Sequence, residues 1–540
     1  MKWALSLLFV LPAISASKIT LAQNISTTAI IDFALVQGAD SGAVTKFLGI
    51  PFARAARFAL PVAIPVYLGP FNATAYGPSC PAQTISASSL SRRSELDSSP
   101  SIRSLIARDT TYSEDCLTIN VIRPAGSKPT DNLPVVVWIY GGGFEAGDTV
   151  TYDTLGTTVV TRSIALGTPV IYVSMNYRLS AFGFLASAEV ARENIGNFGL
   201  YDQRVALRWV KKYICNFGGD ATKITIWGQS AGSISASLQM LGFGGNTENL
   251  FRAAFMQSGA PVSVGPLAKG QKYYDFLVSQ TNCTSAASTL KCLRNVSLDV
   301  LTAAINNTPN YLSFNGLGLA WLPHVDGTFL QQTPFAQLKA GKFPKIPIVA
   351  GNVDDEGTVF SLAQSNLTTD ADFTTFVANE YAPAATAAEL AAVATNYPSD
   401  PTVGSPFDTG SSDVVYPLYK RIAAFQGDIV FQGPRRNFVQ TLSGTQKVYS
   451  YLSKVLKTAS VLGSYHFSDI DTGLLTDYLI NFVVALDPNS PSAPGIWPQY
   501  TTAAPNLYTF TDTAAPSVTN DTYRADAISN LLALSTSYPV

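Results

Sequence analysis

Three stretches in the first half of the chain are dominated by apolar and β-branched residues: LTINVIRP (117–124), LPVVVWIY (133–140) and TPVIYVSMNY (168–177). They are too long and too β-branched for strands with one wet face, and they match a sheet buried on both sides. A helical spacing follows at 200–213, where Leu200, Val205, Leu207, Trp209 and Val210 supply the apolar share. Residues 224–227, 251–256 and 346–350 read as further strands. Strands alternating with helices predict an α/β fold with a large, mostly parallel sheet. Upstream, 38–58 (GADSGAVTKFLGIPFARAARF) reads as short hairpins decorating an edge. Downstream, the pattern predicts Ala/Thr/Ser-rich helices and loops, with a loop and a closing helix beyond Asp487. At 540 residues, a prior of roughly 150 residues per domain gives about three or four domains. No linker supports such a division, so 23–540 is predicted to be one domain.

The pattern breaks at ITIWGQSAGSISAS (224–237), where β-branched residues meet Gly228-Gln229-Ser230-Ala231-Gly232 and small, helix-compatible residues follow. Strand, sharp turn and helix in that order describe a nucleophile elbow. A serine there sits in strained backbone, over the positive end of a helix, and its neighbours must be nearly free of side chain.

Composition narrows the partners. Charged residues are 13% of the chain, about half the usual share, and the net charge is −2. There is no field for nucleic acid or an anionic membrane, and no stable protein partner is implied. The opening MKWALSLLFVLPAISAS has one Lys, an apolar core and then small residues, which predicts a signal peptide (1–22) cleaved between 15 and 22. No later apolar run reaches the length of a spanning helix, so a soluble, secreted product is expected. Asn24, Asn72, Asn282, Asn295, Asn306, Asn366 and Asn520 each begin an Asn-x-Ser/Thr site. Five cysteines allow at most two internal disulfides. Cys283 with Cys292 is the natural close pair, and Cys80 with Cys116 would close a longer, Ser-rich flap (80–116) whose apolar share is Leu90, Leu96, Ile102, Leu105 and Ile106. Cys215, at helical spacing from Leu207 and Trp209, reads as a buried small hydrophobe. No Cys or His pattern suggests a metal, and no cofactor is implied.

A serine hydroxyl needs a base, normally a histidine oriented by a carboxylate. The chain has two histidines. On an elbow of this kind the partners follow in the order Ser, acid, His. His324, in the Pro-flanked WLPHVDG, leaves little room for an intervening strand and acid and reads as a structural or surface-loop residue, whereas His466 in GSYHFSDI leaves enough. The acid belongs just past the strand at 346–350, where Asp354, Asp355 and Glu356 all qualify and spacing does not separate them. Donors for an oxyanion are available at Gly141-Gly142-Gly143, after the strand at 133–140, and at the amide of Ala231.

The motifs KFLGIPFA, EDCLTINV, VVVWIYGGGF, NYRL, NFGLYDQRVALRWVKKYICNFGGD, GQSAG, QSG and NVDDEGT, in this order, resemble the type-B carboxylesterase/lipase family, the cholinesterase-like branch of the α/β-hydrolases. The flap length, the FEAG after the glycines and GSYHFSDI look closest to secreted fungal lipases and esterases. The resemblance implies an α/β-hydrolase fold with helices flanking the sheet and a disulfide-closed, lid-like flap. It implies Ser230 as nucleophile, Glu356 as acid and His466 as base. Gly142, Gly143 and Ala231 would supply the oxyanion hole, and Ser258 a hydrogen bond to the acid. It also implies the disulfides Cys80–Cys116 and Cys283–Cys292. The implied function is hydrolysis of apolar esters through an acyl-enzyme, with triacylglycerol lipase or sterol/terpenoid esterase action at a lipid interface as the finer alternative. An adhesion protein that has lost catalysis is the rival. Gln229 departs from the family pattern, which has Glu directly before the serine. The missing carboxylate argues against quaternary-ammonium esters and leaves one charge fewer to stabilise an imidazolium.

Overall fold

The computed structural model describes residues 27–85, 111–490 and 495–540, together with Pro100 and Arg103. The signal segment, Asn24 and the flap positions Leu90, Leu96, Ile102, Leu105 and Ile106 lie outside the described residues.

An eleven-stranded sheet is the frame. In chain order its strands are Ala39–Ser41 (β1), Val44–Pro51 (β2), Thr118–Pro124 (β3), Leu133–Ile139 (β4), Ile171–Met175 (β5), Gly219–Gln229 (β6), Ala253–Gln257 (β7), Ile348–Val353 (β8), Val448–Lys454 (β9), Asn506–Thr511 (β10) and Ser517–Asn520 (β11). The spatial order is β11-β10-β9-β8-β7-β6-β4-β5-β3-β2-β1. From β5 through β10 neighbours run parallel, and both margins are antiparallel. Helices cover the sheet, which is why Val135, Val136, Val137, Ile171, Val173, Ile224 and Ile226 are all fully buried.

The segment 38–58 does more than decorate: its β1–β2 hairpin is built into the main sheet, with Phe47 opposite Val121. The strands β9, β10 and β11 are additions to the sequence reading, and the stretch beyond Asp487 carries two strands before its closing helix, Ala525–Ser537. Polar residues hide β9: Ser450 sits inside VYSYLSK, yet its hydroxyl donates to the Ala350 carbonyl at 2.7 Å and is fully buried. All four residues of β11 are exposed, so it has no apolar pattern to read.

Both disulfides form, Cys80–Cys116 and Cys283–Cys292. Cys215 corrects its expectation, for it is free and exposed. The helix Phe198–Tyr213 (α1) ends two residues earlier, and the chain tightens to a 3₁₀ turn at Ile214–Phe217. That change of period buries Ile214 and Phe217 and turns Cys215 outward. Asn72, Asn282, Asn295, Asn306, Asn366 and Asn520 are all exposed. Among the described residues no helix is long and apolar enough to cross a membrane.

Candidate active site

Parallel strands deliver their C-terminal ends to one edge of the sheet, and there the loops after β4, β6, β8 and β9 converge. Ser230 lies between β6 and the helix Ala231–Gly245 (α2), which it caps with φ 56° and ψ −129°, a conformation that side chains rarely adopt. The turn is held by its amide, which donates to the Gln257 carbonyl at 2.9 Å on β7. It also needs glycine at 232, where a Cβ would lie 2.0 Å from the Ile139 carbonyl oxygen on β4.

The loop after β8 returns on itself so that Glu356 Oε1 accepts from Asn352 Nδ2 and from the Val353 amide, each at 2.9 Å. Its other oxygen lies 2.5 Å from His466 Nδ1, and both side chains are fully shielded from solvent. Of the three carboxylates that spacing leaves open, Glu356 is therefore the one against the imidazole. Asp354 and Asp355 are occupied by Lys457, whose Nζ is 2.5 and 2.6 Å from them. Asp355 also accepts from the Ser464 amide at 2.8 Å and from Ser405 Oγ and the Phe407 amide, so it fastens the loop that carries His466. Burial, and then the charge of Asp354, push its pKa up.

Ser258 differs from its implied place. Its Oγ makes no hydrogen bond and does not reach the acid. The donors that hold Glu356 Oε1 are instead Asn352 Nδ2 and the Val353 amide. A residue the sequence reading passed over is Asp469, fully buried and held by Gln257 Nε2 at 2.9 Å and Tyr451 OH at 2.7 Å. Burial raises its pKa first, and Glu356 adds to the rise. It lies inside the GSYHFSDI motif, where nothing distinguishes a buried Asp from an exposed one.

Gln229 makes the one contact that occupies His466 Nε2, with the two nitrogens 3.1 Å apart. With the ring hydrogen on Nδ1 toward Glu356, Nε2 accepts from the Gln229 carboxamide. Ser230 Oγ forms no hydrogen bond to His466 in this state, and Gln229 Oε1 has no partner. Replacing Gln229 by Glu puts a carboxylate beside Nε2, which favours the protonated ring. The acid limb of the kcat/KM profile of Gln229→Glu is expected to move to higher pH, because the base then stays protonated further up the scale. An acid limb that stays in place would remove Gln229 from the account of the base.

Gly142, Gly143 and Ala231 face the same cavity as Ser230. Gly143 has φ 64° and packs so tightly on Tyr311 that a Cβ would lie 2.9 Å from its ring. Among the described residues none of the three amides donates to another group. Three unmet N–H groups beside a strained serine can hold a developing negative charge. The cavity, of about 250 Å3, is walled mainly by apolar side chains such as Phe144, Ile234, Leu319, Phe360 and Phe431. His324 lines it too, buried rather than on a surface loop.

Comparison with known proteins gives a consistent picture. A model of the carboxylesterase family matches residues 26–474. Lipase 4 of Diutina rugosa is 40% identical over 531 residues, 93% of this chain and 93% of that protein. The secreted triacylglycerol lipase LIP1 of Gibberella zeae is 38% identical and covers 96% of this chain and 90% of its own. The crystal structure of Aspergillus niger EstA superposes with a TM-score of 0.80 at 25% identity, over 95% of this chain and 99% of that one.

Proposed function

The chain belongs to the carboxylesterase family, and from that premise we propose a secreted serine carboxylic-ester hydrolase that works through an acyl-enzyme on Ser230. The observation that carries the assignment of residues is the His466 Nδ1 to Glu356 Oε2 contact of 2.5 Å, made on two loops that meet beside the elbow. In the reaction, His466 Nε2 leaves the Gln229 carboxamide and takes the Ser230 proton as Oγ bonds to the ester carbonyl carbon. The carbonyl oxygen, now charged, accepts from the amides of Gly142, Gly143 and Ala231. His466 then gives its proton to the departing alcohol oxygen as the C–O bond breaks. Water repeats the sequence, which releases the carboxylic acid and restores Ser230. Glu356 keeps the ring hydrogen on Nδ1 and stabilises the imidazolium.

The apolar wall supports esters with apolar acyl or alcohol groups, and relatives named as secreted lipases support export and acylglycerols as substrates. Transient contact with a lipid interface belongs to this reading. One sheet with strands from Ala39 to Asn520 supports a single catalytic domain. Incubation with an organophosphate is expected to attach one phosphoryl group to Ser230 and stop ester hydrolysis together. Folded protein that stays unlabelled would return the adhesion reading. Rates on a short-chain ester below and above its solubility limit divide the finer alternatives: a jump at the limit assigns a lipase, and smooth saturation an esterase.

A further inference from the structure

The carboxylate that faces His466 is held from behind by directed hydrogen bonds that lead away from the cavity. Its two donors, Asn352 Nδ2 and the Val353 amide, sit at the end of β8. Asn352 is fully buried, and its Oδ1 accepts from Arg435 Nε at 2.9 Å. A guanidinium only donates, so the Asn352 carboxamide has one orientation, with its oxygen toward Arg435 and its NH2 toward Glu356. Turned over, it would set an oxygen against the carboxylate and an NH2 against the guanidinium.

Val353 is tied to the same arginine along a second route. Arg435 Nη2 donates to Tyr523 OH at 2.8 Å, Tyr523 OH donates to Gln432 Oε1 at 2.7 Å, and Gln432 Nε2 donates to the Val353 carbonyl at 2.8 Å. Arg435 and Asp521 are both buried and joined by two bonds, from Nη1 at 2.5 Å and from Nη2 at 2.9 Å. A bidentate pair of this kind fixes the plane of the guanidinium. Asp521 directly follows β11 and also accepts from Arg436 Nε at 2.9 Å and Tyr500 OH at 3.0 Å. Just before the helix Gly433–Ser443 that carries Arg435, the backbone loosens to a π turn at Asp428–Gln432. There Phe431 enters the cavity wall, its ring centroid 4.7 Å from that of His466, while the next residue, Gln432, reaches Val353.

We propose that Arg435, anchored by Asp521, is a positioning residue for the acid: it orients Asn352 directly and Gln432 through Tyr523, and so keeps Glu356 Oε1 between its two donors and Oε2 on His466. The inference rests on the reading of Ser230, His466 and Glu356 as the hydrolytic site. Donors held in place favour the ionised carboxylate and stop it from swinging away from Nδ1. Arg435 is not among the described residues that line the cavity, so it acts on the chemical step and not on ester binding. A lysine there would keep the charge beside Asp521, but an ammonium has no planar fork to serve Asp521, Asn352 and Tyr523 together.

The test measures kcat and KM on one ester for Arg435→Lys, Asn352→Leu and the double variant, with active sites counted by organophosphate labelling of Ser230. Arg435→Lys is expected to lower kcat per labelled site by about tenfold and to leave KM nearly unchanged, since a small displacement of the acid is felt in the chemical step. The double variant should lose well short of the product of the two single losses, because Asn352 relays part of the effect of Arg435. Tyr523→Phe cuts only the route to Gln432 and should lower kcat severalfold. If Arg435→Lys misfolds, Tyr523→Phe decides the matter, an unchanged kcat overturning the proposal. In folded Arg435→Lys, a kcat per labelled site within about twofold of wild type, whatever its melting temperature, overturns the positioning role while leaving the hydrolase, and so do losses that multiply in full in the double variant. Wild-type protein that neither takes the label nor turns over any ester overturns the hydrolase reading and the positioning role together.

Discussion

Ser230→Ala is expected to lower kcat on any ester by about 10⁶, to a residue of activity supplied by binding and the oxyanion amides alone. The variant should keep its fold. Alanine has the same Cβ as serine, so the backbone at φ 56° and ψ −129° carries no new strain, and the amide bond to the Gln257 carbonyl does not involve the side chain. Ser230 is 7% exposed and its hydroxyl supports no neighbouring element, so thermal unfolding should be nearly unchanged. The measurement is kcat by product release, alongside a melting curve. Wild-type turnover in folded Ser230→Ala would end the nucleophile assignment and move attention to another hydroxyl of the cavity.

Why that serine stands out in the sequence while its acid does not is a question of which forces are local. The elbow is written in consecutive residues, because the strain at Ser230 belongs to one turn and the small residues that let β4 approach it, Gly232 among them, stand beside it in the chain. Strands such as β4 and β5 are legible for a similar reason: burial on both faces requires an unbroken apolar run. His466 follows from there being two histidines. The acid is different, since Asp354, Asp355 and Glu356 are chemically alike and adjacent. Their separation comes from Lys457, about a hundred positions downstream, which binds the two aspartates. Spacing could not show that, and the family resemblance was needed to single out Glu356.

The same logic explains the misses. Ser450, Ser453 and Lys454 make β9 look like loop, although the sheet buries the two serines fully. A helical period continued past Tyr213 turns Cys215 inward, but the chain tightens there into a 3₁₀ turn that leaves it exposed. His324 looked like part of a turn because of its prolines, yet the pairing of 265–267 with Val325 packs it against the cavity.

Glu356→Gln should cost roughly 10⁴ in kcat near neutral pH while leaving the fold in place. The reason lies in how the carboxylate is held. Oε1 faces two donors, Asn352 Nδ2 and the Val353 amide, so in the variant the carboxamide oxygen must take that position. The new NH2 group then faces His466 Nδ1, which can no longer donate and becomes an acceptor. The ring hydrogen moves to Nε2, the atom that must receive the Ser230 proton. Gln229 makes the wrong state comfortable, because turning its carboxamide over presents Oε1, now without a partner, to that N–H. The variant is isosteric and leaves one buried carboxamide N–H of residue 356 and the turned-over Gln229 NH2 without acceptors, so the melting temperature should fall slightly while the main loss appears in kcat. A fall of less than tenfold would mean that Glu356 does not set the tautomer of His466, and that Asp469, the other buried carboxylate near the ring, has to be considered in its place.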